Sequence, residues 1–155
     1  CNFVRGYKRT VSVNLTVPFI DRVENQGVGT IRFKDDFIQD SILILAENSG
    51  DTYLHGKIKR VKTGSHGNGD IYLYGECDTL FVYMYGTNSL RGEEMITKTY
   101  VFVETVSIGD AHVVAPDNGR LEYNIWRSGN IYYRGNPLHI RDYSDGTATG
   151  RLIKE

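Results

Sequence analysis

Paired carboxylates are the residues of this chain that could act chemically on a polysaccharide. Glycoside hydrolysis needs two carboxyl groups at a fixed separation, one of them with a raised pKa. Asp51 and Asp70 stand at the same place in two similar segments, which would bring them to about 5 Å, the spacing of neighbouring strands. The alternative is that each aspartate caps its own turn through hydrogen bonds to the backbone. The candidate pairs are Asp35 with Asp36, Asp51 with Asp70, and Glu93 with Glu94.

Other catalytic, metal and nucleotide motifs are weak. The segment 65–69 (SHGNG) contains a histidine between small residues, a composition typical of a loop. The segment 27–29 (GVG) has no helical pattern after it, which argues against a nucleotide phosphate loop. No metal ligand set and no cofactor are predicted, because the histidines are dispersed along the chain. They are His55, His66, His112 and His139.

These residues belong to a chain that repeats. Residues 69–75 (GDIYLYG) and 129–135 (GNIYYRG) both start and end with glycine and alternate apolar with aromatic or basic side chains. Residues 50–56 (DTYLH between two glycines) form a third copy. Weaker copies start at other glycines, and the mean spacing of about 20 residues indicates a solenoid. Those glycines are Gly29, Gly86, Gly109 and Gly150.

A repeat of this length is too short for a strand and a crossover helix but suits one coil of a parallel β-helix. The sequence therefore predicts an all-β, single-domain protein of about six coils. Residues 29–155 would form the coils, and residues 1–28 an N-terminal cap or edge strand. Within that cap, residues 10–17 (TVSVNLTV) alternate in polarity and predict a strand with one buried face, which Pro18 would end.

The period of two along each strand assigns side chains to the inside or the outside. The residues expected inside are Ile31, Thr52, Leu54, Ile71, Leu73, Leu80, Val82, Met84, Leu90, Ala111, Val113, Ile131 and Tyr133. Those expected outside form one file of Arg32, Tyr53, Tyr72, Ser89, His112 and Tyr132, and a second of Lys34, His55, Tyr74, Arg91, Val114 and Arg134. Beyond Gly75, the outward residues are Phe81, Tyr83 and Tyr85.

The outward aromatic and basic residues are the candidate ligand-binding site. Tyrosine rings offer apolar faces to a sugar ring or to a partner protein and keep a hydroxyl for hydrogen bonding. Two alternatives stay open: tyrosine is a good strand former whose ladders stabilise a sheet without binding anything, and a second copy of the chain could cover the face. The candidate residues are Tyr72, Tyr74, Tyr83, Tyr85 and Tyr132, with His55, Arg91 and Arg134 as polar contacts.

The net charge and the cysteine content limit the kinds of partner that the chain could bind. The formal net charge of −1 argues against nucleic acid, and no apolar run approaches the roughly 20 residues of a spanning helix. The two cysteines, Cys1 and Cys77, are too few for a disulfide scaffold, although one bridge between them is allowed. Cys1 stands where an acylated cysteine would follow a cleaved lipoprotein signal. Membrane contact is expected only through such an anchor; the alternative is a free thiol.

The repeats and the ending 126–137 (WRSGNIYYRGNP) resemble the GIN-domain family of bacterial adhesins. The likeness runs from about Gly29 to the C-terminus and is most specific over residues 129–137. It implies a right-handed parallel β-helix, export, and acylation of Cys1 in a family common in Bacteroidetes and often made of lipoproteins. It supplies no catalytic residues. One departure is that residues 144–150 (SDGTATG) are more polar than a well-packed last coil should be.

The sequence thus predicts a non-catalytic adhesion or glycan-binding module of the cell envelope, anchored in the outer membrane through Cys1. Its mechanism would be polyvalent contact through a rigid ladder of aromatic and basic side chains. The first alternative is a protein assembly or scaffold module, and the second is an enzyme that acts on polysaccharide. A surface protein or a second copy of the chain therefore remains a candidate partner beside a glycan.

Overall fold

The computed structural model describes residues 11–34 and 37–155, which build a parallel β-solenoid. Every strand pairing in this part of the chain is parallel, and none of it is helical. It accordingly contains no helix with the length and apolar character needed to cross a membrane. The strands are β1 (Arg22–Asn25), β2 (Ile31–Arg32), β3 (Phe37–Ala46), β4 (Thr52–Ser65), β5 (Ile71–Gly86), β6 (Leu90–Ser107), β7 (Ala111–Val114), β8 (Arg120–Ile125), β9 (Ile131–Arg134), β10 (His139–Asp142) and β11 (Leu152–Lys154).

The strands stack in two files, which form two faces of the solenoid. The first face consists of β2, the starts of β4, β5 and β6, and then β7, β9 and β11. The second face consists of β1, the ends of β3 to β6, and then β8 and β10. The all-β parallel solenoid is confirmed, with about seven coils where six were predicted.

The interior is a stack of apolar side chains at alternate positions, as the period of two predicts. Ile31, in the first coil, is half-buried; the other residues expected inside are buried, with exposures from 0 to 8%. Thr52 is the only polar side chain in that set and is fully buried. Burial of these alternating residues removes apolar surface from water at about 25 cal/mol per Å², which is the main force holding the coils together.

Glycines form the corner that leads away from the first face. Gly75 has φ +106°, and a Cβ there would lie 2.1 Å from the carbonyl oxygen of Gly56 in the preceding coil. Gly135 repeats the arrangement with φ +101° and the same 2.1 Å approach to the carbonyl oxygen of Ala115. Only glycine accepts both the positive φ and so close a backbone neighbour.

The predicted strand at 10–17 is wrong over its described part. Residues 11–17 form no strand, and Val11, Val13 and Leu15 are 84%, 77% and 83% exposed. A strand needs a partner, and residues 11–17 pair with neither β1 nor β2, the first rungs of the two faces, so alternation alone does not produce one here. Thr10 lies outside the described residues. The first rung of the second face is instead β1 (RVEN), whose polar sequence gave no strand signal.

The predicted register is wrong by two residues at the segment that begins at Gly86. Asn88, not Gly86, takes the place that Gly69 has in the preceding coil, so Leu90 pairs with Ile71 and Arg91 with Tyr72. Arg91 therefore joins the first outward file, and Ser89 precedes its strand. The amide of Asn88 compensates for the missing glycine: its Nδ2 donates to the carbonyl oxygen of Gly67 at 2.9 Å, and its Oδ1 accepts from Ser65 at 2.8 Å.

Cys77 is a free thiol in the core, 2% exposed. Its Sγ lies 3.5 Å from the hydroxyl oxygen of Thr97 in the next coil. Burial raises the pKa of this thiol to about 11. The thiol is thus protonated and unreactive at neutral pH. Because Cys77 is free, the bridge to Cys1 that the sequence allows is not formed in this structure; Cys1 itself lies outside the described residues.

Candidate functional site

The eight predicted ligand-binding residues fall on two faces and do not form one platform. Six project from the first face: Tyr72, Tyr74, Tyr132, His55, Arg91 and Arg134. The other two, Tyr83 and Tyr85, project from the second face, beyond the corner at Gly75. All five tyrosines are half-buried.

The outward file of the first face is a ladder of stacked rings. Tyr53 and Tyr72 stack with ring centroids 4.3 Å apart and planes 4° from parallel, and the guanidinium carbon of Arg32 lies 3.6 Å from the Tyr53 centroid. His112 and Tyr132 stack at 4.7 Å and 9°. The ring faces in this ladder are thus directed at neighbouring coils, so the ladder stiffens the sheet and presents mainly ring edges and hydroxyls outward.

Tyr74 departs from this arrangement. Its ring lies 6.5 Å from that of His55 at 45°, so His55 does not cover its face. The ring borders a cleft of about 270 Å³ that is open to solvent on one side. The cleft brings an incompletely stacked tyrosine together with charged groups of both signs. Its lining residues are Tyr72, Tyr74, Arg91, Glu93 and Glu94.

A bulge in β6 creates this cleft. Tyr72 pairs with Arg91 but Tyr74 with Glu94, so β6 carries one extra residue against β5. Against β7 the excess is larger, because Gly92 pairs with Val113 and Ile96 with Val114. Residues 93–95 therefore have no partner in β7; Glu94 is exposed at this bulge, whereas Met95 is buried in the core. Bulges commonly re-aim side chains next to functional sites.

The cleft can form hydrogen bonds with a ligand through neutral phenols and through ionic side chains. Burial, and next the charge of Glu94, raises the pKa of Tyr74; burial and Asp70 raise that of Tyr72. Both phenols thus keep their protons as donors. Arg134, reaching across β7, donates to the backbone carbonyl of Glu93 and braces the bulge. The Oε2 atom of Glu93 is buried and accepts no hydrogen bond from the described residues.

Sequence reasoning found part of this site. It selected Tyr72, Tyr74 and Arg91, and it weighed Glu93 with Glu94 only as a catalytic pair. The extra length of the coil between Leu90 and Ala111 could have indicated that the tyrosines and Arg91 share one site with the two glutamates. A longer coil in a regular stack must place its additional residues in a bulge.

The aspartates at the start of the repeats connect coils. Asp51 Oδ1 accepts from the backbone N–H of Asp70 at 2.9 Å, and Asp70 Oδ1 accepts from Ser89 N–H at 2.7 Å. Asp110 and Asn130 repeat the contact two coils later, at 2.7 Å. The expected turn capping is thus corrected in one respect: each side chain satisfies the backbone of the next coil, not of its own turn. Asp35 and Asp36, the first candidate pair, lie outside the described residues.

The two predicted residues on the second face are both in contact with side chains of neighbouring coils. Tyr85 donates its hydroxyl to Glu104 Oε1 at 2.6 Å and stacks on His66 at 4.9 Å and 5°. That hydrogen bond, with burial next, raises the pKa of Tyr85 to about 12. Tyr83 is tilted by 50° against Phe102 at 5.7 Å, and the Nζ of Lys62 lies 5.0 Å from its centroid. These contacts make Tyr83 and Tyr85 parts of the sheet surface.

A second depression, of about 570 Å³, lies on the side between the two faces. Its charged residues pair with one another: Lys98 with Glu76 at 2.9 Å and Lys59 with Asp40 at 2.7 Å. Exposed pairs of this kind contribute little to stability, and they leave the depression electrostatically balanced. Within residues 11–34 and 37–155, no three His, Cys, Asp or Glu side chains are grouped so as to hold a metal ion.

Comparison with known proteins identifies the family of the chain. No curated protein matches it. Its fold is similar to the crystal structure of a "putative adhesin" from Bacteroides fragilis, with a TM-score of 0.74 and 17% sequence identity over 89% of this chain. The chain spans 62% of the length of that structure, and at this identity the likeness concerns the fold alone.

A family model described as "Putative auto-transporter adhesin, head GIN domain" matches residues 2–137. A family of this adhesin type consists of exported or cell-surface proteins. The match runs through the first rung at β1, the bulge of β6 and the repeat at residues 129–135. The resemblance seen in the glycine-bounded repeats is thereby confirmed, and the chain belongs to the head GIN domain family.

Proposed function

We propose that this chain is a non-catalytic adhesion module of the cell surface that binds glycans in the cleft at the β6 bulge. The observation that carries the proposal is the environment of Tyr74. Its ring is tilted out of the stacking pattern and borders a 270 Å³ cleft beside one arginine and two glutamates. Membership of an adhesin-type family supports a surface role.

The cleft supplies the contacts that a sugar needs. An aromatic face packs against the C–H groups of a pyranose ring, and the exposed carboxylate of Glu94 accepts from its hydroxyls. Arg91 and the protonated phenol of Tyr72 donate to ring or hydroxyl oxygens. The volume is close to the lower end of the range for small-ligand sites, so one sugar residue would be held at a time.

Polyvalency then comes from many copies of the chain on a surface. The stacked rings of Tyr53, Tyr72, His112 and Tyr132 face one another, so the ladder holds the cleft rigid and adds few sugar contacts of its own. Each cleft binds weakly, and copies displayed together on a cell gain avidity without any new contact.

A glycan array tests the proposal with wild-type protein, Tyr74→Ala and the matched variant Tyr143→Ala. Tyr143 is on the second face, 43% exposed, and outside the cleft. We expect wild type and Tyr143→Ala to bind the same glycans and Tyr74→Ala to bind them at least tenfold more weakly. Equal binding by all three proteins would place the site elsewhere, and no binding by wild type would remove glycans as the ligand.

Incubation with the bound glycans distinguishes adhesion from the enzyme alternative. Mass spectrometry should find the sugar chains at their original length after prolonged exposure to wild-type protein. Shortened chains that disappear with Glu94→Gln would instead make the Glu93 and Glu94 carboxylates a catalytic pair. The variant keeps the size and hydrogen-bonding capacity of the side chain, so its fold should be unchanged.

A protein assembly role is the second candidate, favoured by the aromatic surface of the second face. Phe81, Phe102 and Tyr83 lie side by side there, and Trp126 is 45% exposed. Aromatic residues in such a patch are typical of protein interfaces. If the array is negative, Trp126→Ala and Phe102→Ala become the variants to compare in binding assays with proteins of the same cell surface.

Anchoring through Cys1 completes the proposal for the location. An acylated Cys1 would tether the solenoid to the outer membrane and leave the first face accessible to glycans. Mass spectrometry of the protein from its own host should show an acyl mass on Cys1. An unmodified Cys1, or further residues before it, would contradict the anchor.

A further inference from the structure

The two ends of the solenoid differ in how well they cover the core. One interior file consists of Ile42, Val61, Leu80, Val101, Leu121 and Ile140. The first five are at most 2% exposed, whereas Ile140 in the last coil is 47% exposed, and Leu138 beside it is 66% exposed. At the opposite end, Ile20, Val23, Phe33 and Phe37 pack against the core. The C-terminal end is thus the open one.

The open end also has an unpaired strand edge. Among the strands of residues 11–34 and 37–155, β10 pairs only with β8, and β11 only with β9. An exposed edge with apolar side chains beside it is a template for pairing with another chain. Ala148 and Leu152 cover part of the core here, but Ile140 remains uncovered.

The opposite end of the molecule carries a segment suited to such an edge. Residues 11–17 (VSVNLTV) are in no strand, and their four apolar side chains alternate with polar ones. Val11, Val13 and Leu15 are 77 to 84% exposed, and Val17 is 47% exposed. In an added strand these four would lie on one side. That side would cover apolar surface and place Ser12, Asn14 and Thr16 in solvent.

The segment cannot reach the open end of its own molecule. Its C-terminal side is anchored at Ile20, whose N–H donates to Gln39 Oε1 at 3.1 Å and whose carbonyl accepts from Gln39 Nε2 at 2.6 Å. Seven coils at about 4.8 Å spacing put the C-terminal edge roughly 29 Å away. Val17 is three residues from the anchor, a reach of about 11 Å at most. The edge therefore needs a segment from another molecule.

We propose that residues 11–17 of one copy pair as an added strand with the free edge of β10 in a second copy, so that copies join head to tail. Val13 and Leu15 would cover Ile140 and Leu138. The contact joins two different surfaces, so it does not close on itself as a symmetric dimer does, and each added copy presents a new free edge. The mode is β-augmentation, in which main-chain hydrogen bonds hold the strand and alternate side chains set its register.

Sedimentation velocity on the 155-residue chain tests this from about 1 μM to 1 mM, with a reductant present so that Cys1 cannot form disulfide dimers. The mean mass of wild type should rise beyond the dimer, as expected for an open series. Val13→Asp and Ile140→Asp should each associate at least tenfold more weakly. Ser12→Asp, on the polar side of the same segment, is the matched control and should behave like wild type.

Mixing the two defective variants gives the sharpest result. Val13→Asp keeps an intact β10 edge and Ile140→Asp keeps an intact segment, so the mixture should form a complex of one copy of each and grow no further. Circular dichroism checks that Ile140→Asp is folded; Leu138→Asp, at a more exposed position, replaces it if it is not.

Three outcomes would overturn the proposal. The first is wild type that stays monomeric over the whole concentration range, and the second is a mixture that forms no complex. The third is amide protection of residues 11–17 in hydrogen exchange that does not depend on concentration, which would mean that the segment pairs within its own molecule. Tyr74→Ala leaves these surfaces intact, so association and glycan binding can fail independently.

Discussion

The two faces of the solenoid hold their tyrosines mainly by different contacts, although Tyr85 on the second face also stacks on His66. On the first face, Tyr53 and Tyr72 stack in nearly parallel planes. On the second face, Phe81 and Tyr100 meet edge to face at 63°, and Tyr100 donates its hydroxyl to Glu122 Oε2 at 3.0 Å. Glu122 also accepts from Tyr143 at 3.2 Å. The second face thus fixes phenol hydroxyls on carboxylates, and the first face fixes ring planes on one another.

This difference shows what decides whether a tyrosine is available to a ligand. Half-burial and outward direction are common to both faces, so they do not distinguish a site from a sheet surface. What distinguishes Tyr74 is the local loss of regular pairing at the β6 bulge, which tilts its ring and opens the cleft. The candidate site therefore follows from an irregularity in the stack.

A substitution at the corner that separates the two faces should have the largest effect on stability. Gly75→Ala should destabilise the protein by about 3 to 5 kcal/mol, because it combines a positive φ with a Cβ at 2.1 Å from the carbonyl oxygen of Gly56. Gly146→Ala is the matched control: its φ is +81° but nothing lies within 4 Å, so backbone strain alone should cost about 1 kcal/mol. Urea unfolding measures both, and similar losses would show that the close approach is unimportant.

Removal of a polar group inside the stack should have the next largest effect on stability. Asn88→Ala should cost about 2 kcal/mol, because it leaves the buried hydroxyl of Ser65 and the carbonyl of Gly67 without their partner. Thr87→Ala, at an exposed neighbour, should change the free energy of unfolding by less than about 0.5 kcal/mol. If Asn88→Ala is equally mild, the amide does not compensate for the glycine that other coils have at this place.

The side-chain contacts between coils on the first face should matter less. Asp70→Ala removes the acceptor of Ser89 N–H and should cost about 1 kcal/mol. Asp70→Asn keeps a side-chain oxygen, as Asn130 does at the equivalent position, and should stay close to wild type. Thermal unfolding of the two variants is sufficient, and an equal loss in both would mean that the negative charge, and not the hydrogen bond, is what counts.

The smallest effect is expected on the second face, in the pH dependence of the free energy of unfolding. The pKa of Tyr85 is raised to about 12, so folding favours the protonated phenol. Its contribution is present below pH 10 and is lost as the pH rises from about 10 to 12. Because the ring is half-exposed, we expect it to be about 0.5 to 1 kcal/mol. At pH 7, Tyr85→Phe should be less stable than wild type by that amount. Between pH 7 and pH 11.5, the free energy of unfolding, measured in urea, should fall less in the variant than in wild type. An equal fall in both proteins would contradict the role of Glu104.

Sequence alone was sufficient for the architecture and for the direction of most side chains. The glycine-bounded repeats predicted the parallel solenoid, and the period of two predicted the buried file that contains Leu54, Leu73 and Val113. Both signals are local, because each coil repeats the same few requirements: an apolar interior and a corner without a side chain.

What sequence could not predict depends on how neighbouring coils align. Counting from Gly86 put Arg91 in the wrong file, because an asparagine can replace a glycine when its amide finds buried partners. The bulge at 93–95 exists only relative to β5 and β7. The alternation at 11–17 says that the segment is suited to a strand, but not whether an edge is present to receive it.

The buried thiol of Cys77 can report how often the solenoid opens locally. Cys77 sits at the side between the two faces with a pKa near 11, so a thiol-specific reagent at neutral pH can react with it only when the coils part. The labelling rate at Cys77 would then measure how often the middle of the stack opens.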